Sequence, residues 1–303
     1  MLRVHELSKS YGSIRAVDSI SFTLKPGTIT IMAGADGAGK STVLKIILGL
    51  VKKDEGEIYL HGKPVGKHFD RITEITGYMP ERFSLYTDLS VEENLNFYSD
   101  IHQVPRRRRE EMKNRLLAKT GMLPFKKRRA GALSGGMKQK LALSSILLTF
   151  PEIIILDEPT TGVDPLSRIE FFSIIEELKA EGKTIVMATP YLDEAEKGDE
   201  VIFIKDGKVL QEGSIASLKE AFPAKLFRIL PEGNILEIMQ RLQENLDVKD
   251  DVYVRGRFIK YLQREGRALP KQIPVREIIE EPPTLEDIYL YYERIGHAPE
   301  RVE

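Results

Sequence analysis

Three observations in the sequence predict an α/β fold: a parallel core sheet, antiparallel strands ahead of it and a small α+β unit behind it. Short apolar runs at Thr28 to Ala33, Ile153 to Leu156 and Thr184 to Thr189 alternate with helical stretches, as parallel strands joined by crossover helices do. A glycine-rich turn, Gly34 to Gly39, lies directly between the first of these runs and a helical stretch. The composition, 42% hydrophobic and 30% charged over 303 residues, supplies a sizeable core and length for about two domains.

Taken in order, Leu2 and Val4, then Ile20, Phe22 and Leu24, form short β-type runs closed by the turn Lys25-Pro26-Gly27. They predict antiparallel strands before the first buried one. After the glycine turn, Val43, Leu44, Ile47 and Leu48 repeat on one helical face. From about residue 85 to 150 the chain is helix-like and charge-rich, with Val91, Leu95, Tyr98 and Ile101 at helical spacing before the basic run Arg106 to Arg109. This predicts a helical insertion. The run Ile153 to Leu156 follows, then a helix from about Leu166 to Glu181 closed by Gly182, then the strand Thr184 to Thr189. Beyond residue 217 the pattern changes to a strand at Lys225 to Leu230, a helix at Ile235 to Leu246, a strand near Val252 to Val254 and a last helix after Pro282-Pro283. The expected division is a first domain over 1–217 and an accessory α+β domain over 218–303.

Lysine plus arginine total 45 against 46 aspartate plus glutamate, so no global basic field exists to hold nucleic acid, and no nucleic-acid partner is expected. There is no cysteine, which removes disulfides, thiolate metal sites and cysteine nucleophiles together. No stretch approaches the ~18–20 apolar residues that cross a bilayer, and the N-terminus lacks the apolar core of a signal peptide. The expectation is a cytoplasmic chain that borrows any membrane span from a partner.

Gly34-Ala35-Asp36-Gly37-Ala38-Gly39-Lys40-Ser41-Thr42 fits G-x-x-x-x-G-K-[ST] in its required strand-to-helix setting. Glycines let the backbone fold into a nest whose N–H groups, with the helix N-terminus, hold phosphate oxygens. Lys40 would reach the β and γ phosphates, Ser41 would place its hydroxyl on Mg²⁺, and Thr42 would add a phosphate or packing contact. Downstream, Ile153 to Leu156 ends in Asp157-Glu158-Pro159, two carboxylates at the C-terminal strand edge where open α/β sheets bind ligands. Asp157 suits the Mg²⁺ shell, and Glu158 suits general-base attack by water. A buried strand with a solvated acidic end would carry the same residues.

Leu133-Ser134-Gly135-Gly136-Met137-Lys138-Gln139, about a hundred residues after the phosphate loop and shortly before Asp157, resembles the signature of the ATP-binding cassette (ABC) family. Tyr11 stands where that family stacks an aromatic on adenine, and Gly162-Val163-Asp164 stands in the position of its dimer-crossing loop. The resemblance implies a P-loop NTPase cassette with an antiparallel β subdomain and a helical subdomain over about 85–150. It also implies that Ser134, Gly135 and Gly136 bind ATP on a second cassette, head to tail, so that two nucleotides are sandwiched between protomers.

Two positions depart from the family pattern. After Thr189 the family usually has a histidine that contacts the γ-phosphate; here the chain reads Pro190-Tyr191, and proline offers neither a polar side chain nor an N–H. The five histidines, His5, His61, His68, His102 and His297, all lie elsewhere. Glu81 stands where the family mostly has a glutamine that senses Mg²⁺ and the γ-phosphate; a carboxylate can still ligate Mg²⁺ but adds negative charge. ATP binding is therefore expected to persist while hydrolysis at this chain's own site weakens. A homodimer with low turnover and an asymmetric heterodimer both fit.

Phe83, Leu85, Tyr86 and Leu89, ahead of Val91 to Tyr98, fall where exporters of this family receive a helix of an integral membrane permease. The basic runs Arg106 to Arg109 and Lys126 to Arg129 read first as solvated helix faces, with anionic lipid headgroups as the alternative. Pro283-Thr284-Leu285-Glu286-Asp287-Ile288-Tyr289 resembles the element that closes many exporter cassettes, and the stretch from Gly77 to Asp100 is similar to the first cassette of tandem YbhF-type exporter ATPases. The resemblance thus implies an exporter ATPase subunit peripheral to the cytoplasmic face of the membrane.

Overall fold

A computed structural model describes residues 2–82, 85–244, 252–263 and 274–295. It divides into two compact units, Met1–Gly213 and Ser214–Glu303, just ahead of the boundary read from composition.

In the first unit β1 (Leu2–Tyr11) and β2 (Ile14–Leu24) form an antiparallel hairpin. β3 (Ile29–Ala33) then runs fully buried into the glycine turn and α1 (Lys40–Ile47). β4 (Glu55–Leu60) and β5 (Lys63–Pro64) join the hairpin in a sheet of order β2-β1-β4-β5. After α2 (Asp70–Thr73) come β6 (Thr76–Met79), then α3 (Val91–Ile101), α4 (Arg106–Lys119) and α5 (Gly135–Ile146) of the helical region. β7 (Ile153–Asp157), α6 (Pro165–Ala180), β8 (Thr184–Thr189), α7 (Leu192–Ala195), β9 (Glu200–Lys205) and β10 (Lys208–Ser214) complete the unit.

The second sheet has the order β10-β9-β3-β8-β7-β6, and its pairs β3 with β8, β3 with β9, β7 with β8 and β6 with β7 are parallel. β3, β7 and β8 are buried along their whole length, which is why their sequences are continuous apolar runs rather than alternating ones. α1 packs in a single core that includes Leu2, Phe22 and Ile58 of the first sheet and Met32, Ile155 and Val186 of the second. Burial from both sides requires the crowded apolar set Val43, Leu44, Ile46 and Ile47. α3 starts with a capping box, in which Ser90 Oγ accepts from Glu93 N and Glu93 accepts from Ser90 N.

The second unit begins with α8 (Ile215–Glu220). It then has β11 (Lys225–Pro231), α9 (Ile235–Glu244), β12 (Val252–Arg255), β13 (Phe258–Gln263), β14 (Val275–Glu281) and α10 (Leu285–Ile295). Its strands form an antiparallel sheet of order β12-β13-β11-β14, over a core of Ile229, Ile238, Leu242, Val252, Ile259 and Tyr261. β13 and β14 are absent from the sequence reading. Lys260 interrupts the apolar run of β13 and is buried there in an ion pair with Glu281. β14 lies at the sheet edge and is charged along both faces, a pattern that blocks further strand pairing and hides the strand from periodicity.

Candidate nucleotide site

The phosphate loop is shaped by what surrounds its glycines. A Cβ on Gly34 would lie 2.0 Å from the Ile204 carbonyl oxygen, and one on Gly39 would lie 2.3 Å from that of Ala16. Gly37 and Gly39 also hold φ of 79° and 104°, the left-handed region that side chains disfavour. Ala35, Asp36 and Gly37 are exposed, whereas Ala38 and Lys40 are buried. No side chain caps α1, so its first-turn N–H groups, which have no intrahelical acceptor, are available to an anion. This arrangement fits a phosphate chain.

Lys40 is 3% exposed; its Nζ donates to the carbonyls of Gly34 at 2.8 Å and Ala35 at 2.9 Å and lies 3.7 Å from Glu158 Oε1. The ammonium is thus already desolvated and aimed along the loop. Ser41 Oγ donates to Asp157 Oδ1 at 2.7 Å, and the Tyr78 hydroxyl reaches Asp157 Oδ2 at 3.5 Å. Thr42, next on α1, is half-buried. Among the described residues no group of three or more His, Asp or Glu side chains could hold a metal. One hydroxyl and one carboxylate instead suit Mg²⁺, which keeps several waters and arrives with substrate phosphates.

Parallel pairing places Asp157 opposite Ala188, and Glu158 N then donates to the Ala188 carbonyl at 2.9 Å. Glu158 turns the chain out of the sheet with φ 51°, an uncommon conformation for a side-chain-bearing residue. Its carboxylate accepts from Thr161 Oγ1 at 3.3 Å. Burial raises the proton affinity of both Asp157 and Glu158; Ser41 opposes it at Asp157, Lys40 opposes it at Glu158, and the charge of Glu81 adds to it at each. Glu81 itself is exposed, just beyond β6. Tyr78, missed in the sequence reading, is also pushed up in pKa by burial and by Asp157; only its place one strand away from Asp157 could have signalled it.

Tyr11 is 48% exposed at the end of β1, with Lys9 Nζ 5.5 Å from its ring centre. Ser134 caps α5, accepting from Met137 N at 3.3 Å, and both it and Gly135 are exposed. Gly136 is different: it is buried, and a Cβ there would lie 2.3 Å from Ser167 Cβ on α6. Packing in the same chain therefore demands this glycine. The structure brings Lys40, Ser41, Asp157 and Glu158 into one cluster, and sets Ser134, Gly135 and Gly136 beside the Gly162 loop and α6.

On the helical side, Tyr86 is 46% exposed and its ring packs on Phe97 with centres 4.3 Å apart. The loop is held by Asn94, buried on α3, which accepts from Tyr86 N and donates to the carbonyls of Tyr86, Leu89 and Ser90. Phe83 lies outside the described residues. A cavity of about 470 Å³ opens nearby, lined by Leu50, Tyr78, Tyr98, Ile101 and His102 among others. In the basic runs, Arg109 pairs with Asp100, and Lys126 pairs with Glu92 at 2.9 Å and Glu110 at 3.6 Å, while Arg106 to Arg108 and Lys127 to Arg129 are exposed.

In the second unit, Thr284 and Asp287 form a reciprocal cap at the start of α10: Thr284 N and Oγ1 donate to Asp287 Oδ2 at 2.7 and 2.6 Å, and Asp287 N donates to Thr284 Oγ1 at 3.3 Å. The Tyr253 hydroxyl donates to the other carboxylate oxygen of the fully buried Asp287. The Thr-Leu-Glu-Asp element is thus a helix cap fastened to β12.

A buried parallel sheet with a phosphate loop, an adjoining Asp-Glu strand end and a separately capped glycine-rich helix defines an ATP-binding cassette. The ABC transporter family profile matches residues 17–161. The chain belongs to this family. It is 37% identical over 283 residues to YbhF, a probable multidrug ABC transporter ATP-binding protein of Escherichia coli (strain K12), covering 91% of this chain and 48% of that one; it therefore spans about half the length of this relative. Nod factor export ATP-binding protein I of Rhizobium sp. (strain N33) is 31% identical over 289 residues, with 94% of each chain covered. Among solved structures, a dimeric bacterial ABC transporter cassette superposes with a TM-score of 0.64 at 27% identity, covering 71% of this chain and 98% of its own. The cbiO1 subunit of a Clostridium perfringens ABC transporter gives 0.65 at 26% identity, covering 81% and 95%.

Proposed function

We propose that this chain is the nucleotide-binding subunit of an ABC exporter, on the cytoplasmic face of the membrane, coupling ATP binding and hydrolysis to efflux through a separate integral membrane permease. The observation that carries this reading is the joined cluster of Lys40, Ser41, Asp157 and Glu158. In it Gly34 to Thr42 hold the phosphates, Ser41 and Asp157 with Glu81 hold Mg²⁺, and Tyr11 stacks on adenine. Mg²⁺ supplies charge neutralisation at the phosphates when bound. Glu158 accepts the proton of the attacking water; its raised proton affinity makes it a stronger base than a solvated carboxylate. Ser134, Gly135 and Gly136 hold the nucleotide of a second cassette.

The division of labour follows the sequence: residues 1–217 are the cassette, with about 85–150 as its helical subdomain, and 218–303 brace or regulate the dimer. The loop of Tyr86, held in place by Asn94, and the cavity beside Tyr98 and Ile101 receive the permease.

Pro190 favours a second reading, in which the chain binds ATP but turns it over slowly and serves mainly to complete the site of a partner cassette. Mg²⁺-dependent ATP turnover of the purified chain, measured beside Glu158→Gln, separates the two. Turnover well above that control supports a self-sufficient motor. Tight binding without it supports the asymmetric pair. Co-purification with a permease tests the transporter assignment that both share.

A further inference from the structure

Glu194 is a buried carboxylate to which none of the roles above gives any work. Its side chain is 2% exposed, on the short α7. Thr160 Oγ1 donates to Glu194 Oε1 at 2.6 Å, and Thr189 Oγ1 donates to Glu194 Oε2 at 2.5 Å. Thr160 and Thr189 are themselves 1% and 0% exposed. The Thr189 oxygen also accepts from Tyr191 N at 3.1 Å, so the hydroxyl links the backbone after Pro190 to the carboxylate. Arg168 Nε on α6 stands 3.4 Å from Glu194 Oε1, and its guanidinium lies 4.6 Å above the Tyr191 ring. Burial raises the proton affinity of Glu194, and the two threonine hydroxyls and the Arg168 cation oppose it, as donors to a carboxylate do.

The partners are the significant part. Thr160 is two residues past Glu158, on the turn that throws Glu158 out of the sheet. Thr189 is the last residue of β8, immediately before Pro190, and its carbonyl accepts from Gly34 N at 3.4 Å at the mouth of the phosphate loop. Arg168 belongs to the first turn of α6, which is capped by Asp164 of the Gly162-Val163-Asp164 loop. One carboxylate therefore ties together the segment of the water-activating glutamate, the segment facing the γ-phosphate and the helix behind the dimer-crossing loop.

We propose that Glu194 is a positioning residue for hydrolysis, a charged clamp that fixes the Glu158 turn against the Thr189-Pro190 loop. The inference rests on the hydrolytic reading of the site. With proline where the family has a polar group, nothing from the Pro190 side chain can order this edge, and the burden falls on the clamp. Proline limits its own φ; the Glu194 carboxylate holds Thr189 before it, and Tyr191 after it is tied to the same cluster through Thr189 Oγ1 and the Arg168 guanidinium. A carboxylate is better suited than an amide, since an amide can still hydrogen-bond both threonine hydroxyls but has no charge to face Arg168.

The test uses the full chain with Glu194→Ala and Glu194→Gln, measuring steady-state ATP turnover, ATP dissociation constant and hydrogen exchange over residues 158–164 and 189–191 with Mg²⁺ and ATP present. Small displacements of reacting groups cost about 10²-fold in rate, so Glu194→Ala is expected to lower kcat by about that factor while KM and the ATP dissociation constant stay within about twofold. Glu194→Gln is expected to recover part of the loss, and faster exchange is expected in both segments together. An unchanged kcat in Glu194→Ala would overturn the proposal. So would equal loss of ATP affinity and of kcat in both variants, which would mark Glu194 as a plain stability residue. If the unsubstituted chain shows no turnover above Glu158→Gln, the hydrolytic reading fails by itself. Exchange then decides the clamp: simultaneous loosening of both segments in Glu194→Ala upholds it, and loosening of neither refutes it.

Discussion

Ser41 and Asp157, 116 positions apart in sequence, are joined by a 2.7 Å hydrogen bond across the mouth of the parallel sheet. Because β3 and β7 both flank β8, the loop that follows the first and the carboxylate that ends the second arrive at one strand edge. The bond fixes both side-chain oxygens at that edge in the nucleotide-free chain.

This preorganisation has a measurable cost in the nucleotide-free chain. Burial raises the pKa of Asp157 above its ordinary 3.8, so the fold prefers the protonated form more than the unfolded chain does. The stability contributed by that proton is present at low pH and lost as pH rises through the raised pKa. Asp157→Asn, which resembles the protonated form, should therefore melt at a higher temperature than the unsubstituted chain at pH 7 to 8, with the gap closing towards pH 4. With Mg²⁺ and ATP the order should reverse, because the carboxylate then gains a cation. Thermal melts across pH with and without Mg²⁺ and ATP check both signs, and a gap that widens on acidification would refute the assignment.

Pro190 sits half-buried between Thr189 and Tyr191 at the end of β8. Placing an imidazole there should raise turnover by roughly 10²-fold, the lower end of the range for a positioned acid or base. The gain in Pro190→His should vanish in the Glu158→Gln background, since both act on the same water. Steady-state turnover of the single and double variants is the measurement. A Pro190→His chain that binds ATP normally and turns over no faster would mean that the edge is organised for binding alone.

Much of this site is legible in sequence because it is local. The phosphate loop needs glycines where Ile204 and Ala16 carbonyls crowd the backbone, and an apolar strand buried on both faces that ends in two carboxylates marks the strand edge. Such constraints act within a few residues, so Gly34 to Thr42 and Asp157-Glu158 can be read directly. Tyr78, Asn94 and Glu194 cannot. Each acts through a fold-made contact, with Asp157 from the next strand, with the backbone of a preceding loop, or with threonines from two strand ends. The same distinction explains β13, whose buried Lys260 looks like a solvated residue until Glu281 of β14 is seen beside it.

The Thr284 cap gives the second unit its most specific handle. Replacing an N-cap threonine by alanine costs about 1 kcal/mol, and Thr284→Ala should lower the stability of α10 by that amount. Asp287→Ala should cost more, because the buried Tyr253 hydroxyl loses its acceptor as well, adding roughly 1–3 kcal/mol. Tyr253→Phe introduced into Asp287→Ala should return part of that second loss. Hydrogen exchange of the α10 amides in the full chain reads each step, and equal protection in Thr284→Ala and Asp287→Ala would count against the shared cap.

The signature helix offers a test in which two substitutions oppose one another. Gly136 is buried against Ser167, and a Cβ at Gly136 would come within 2.3 Å of Ser167 Cβ and 2.5 Å of its Oγ. Gly136→Ala should therefore overpack the contact between α5 and α6 and destabilise the chain by about 1–3 kcal/mol. Ser167→Gly removes the opposing atoms. It leaves the backbone bond from Ser167 N to Asp164 Oδ1 in place and costs only a few tenths of a kcal/mol in helix propensity. The double variant should thus melt nearer the unsubstituted chain than Gly136→Ala does, which differential scanning calorimetry would show. If its ATP-dependent dimerisation recovers with stability, Gly136 is required by packing within its own chain. If stability returns and dimerisation does not, its bare backbone is needed against the nucleotide of the second cassette. A double variant no more stable than Gly136→Ala would mean that the 2.3 Å approach to Ser167 is not what excludes a side chain there.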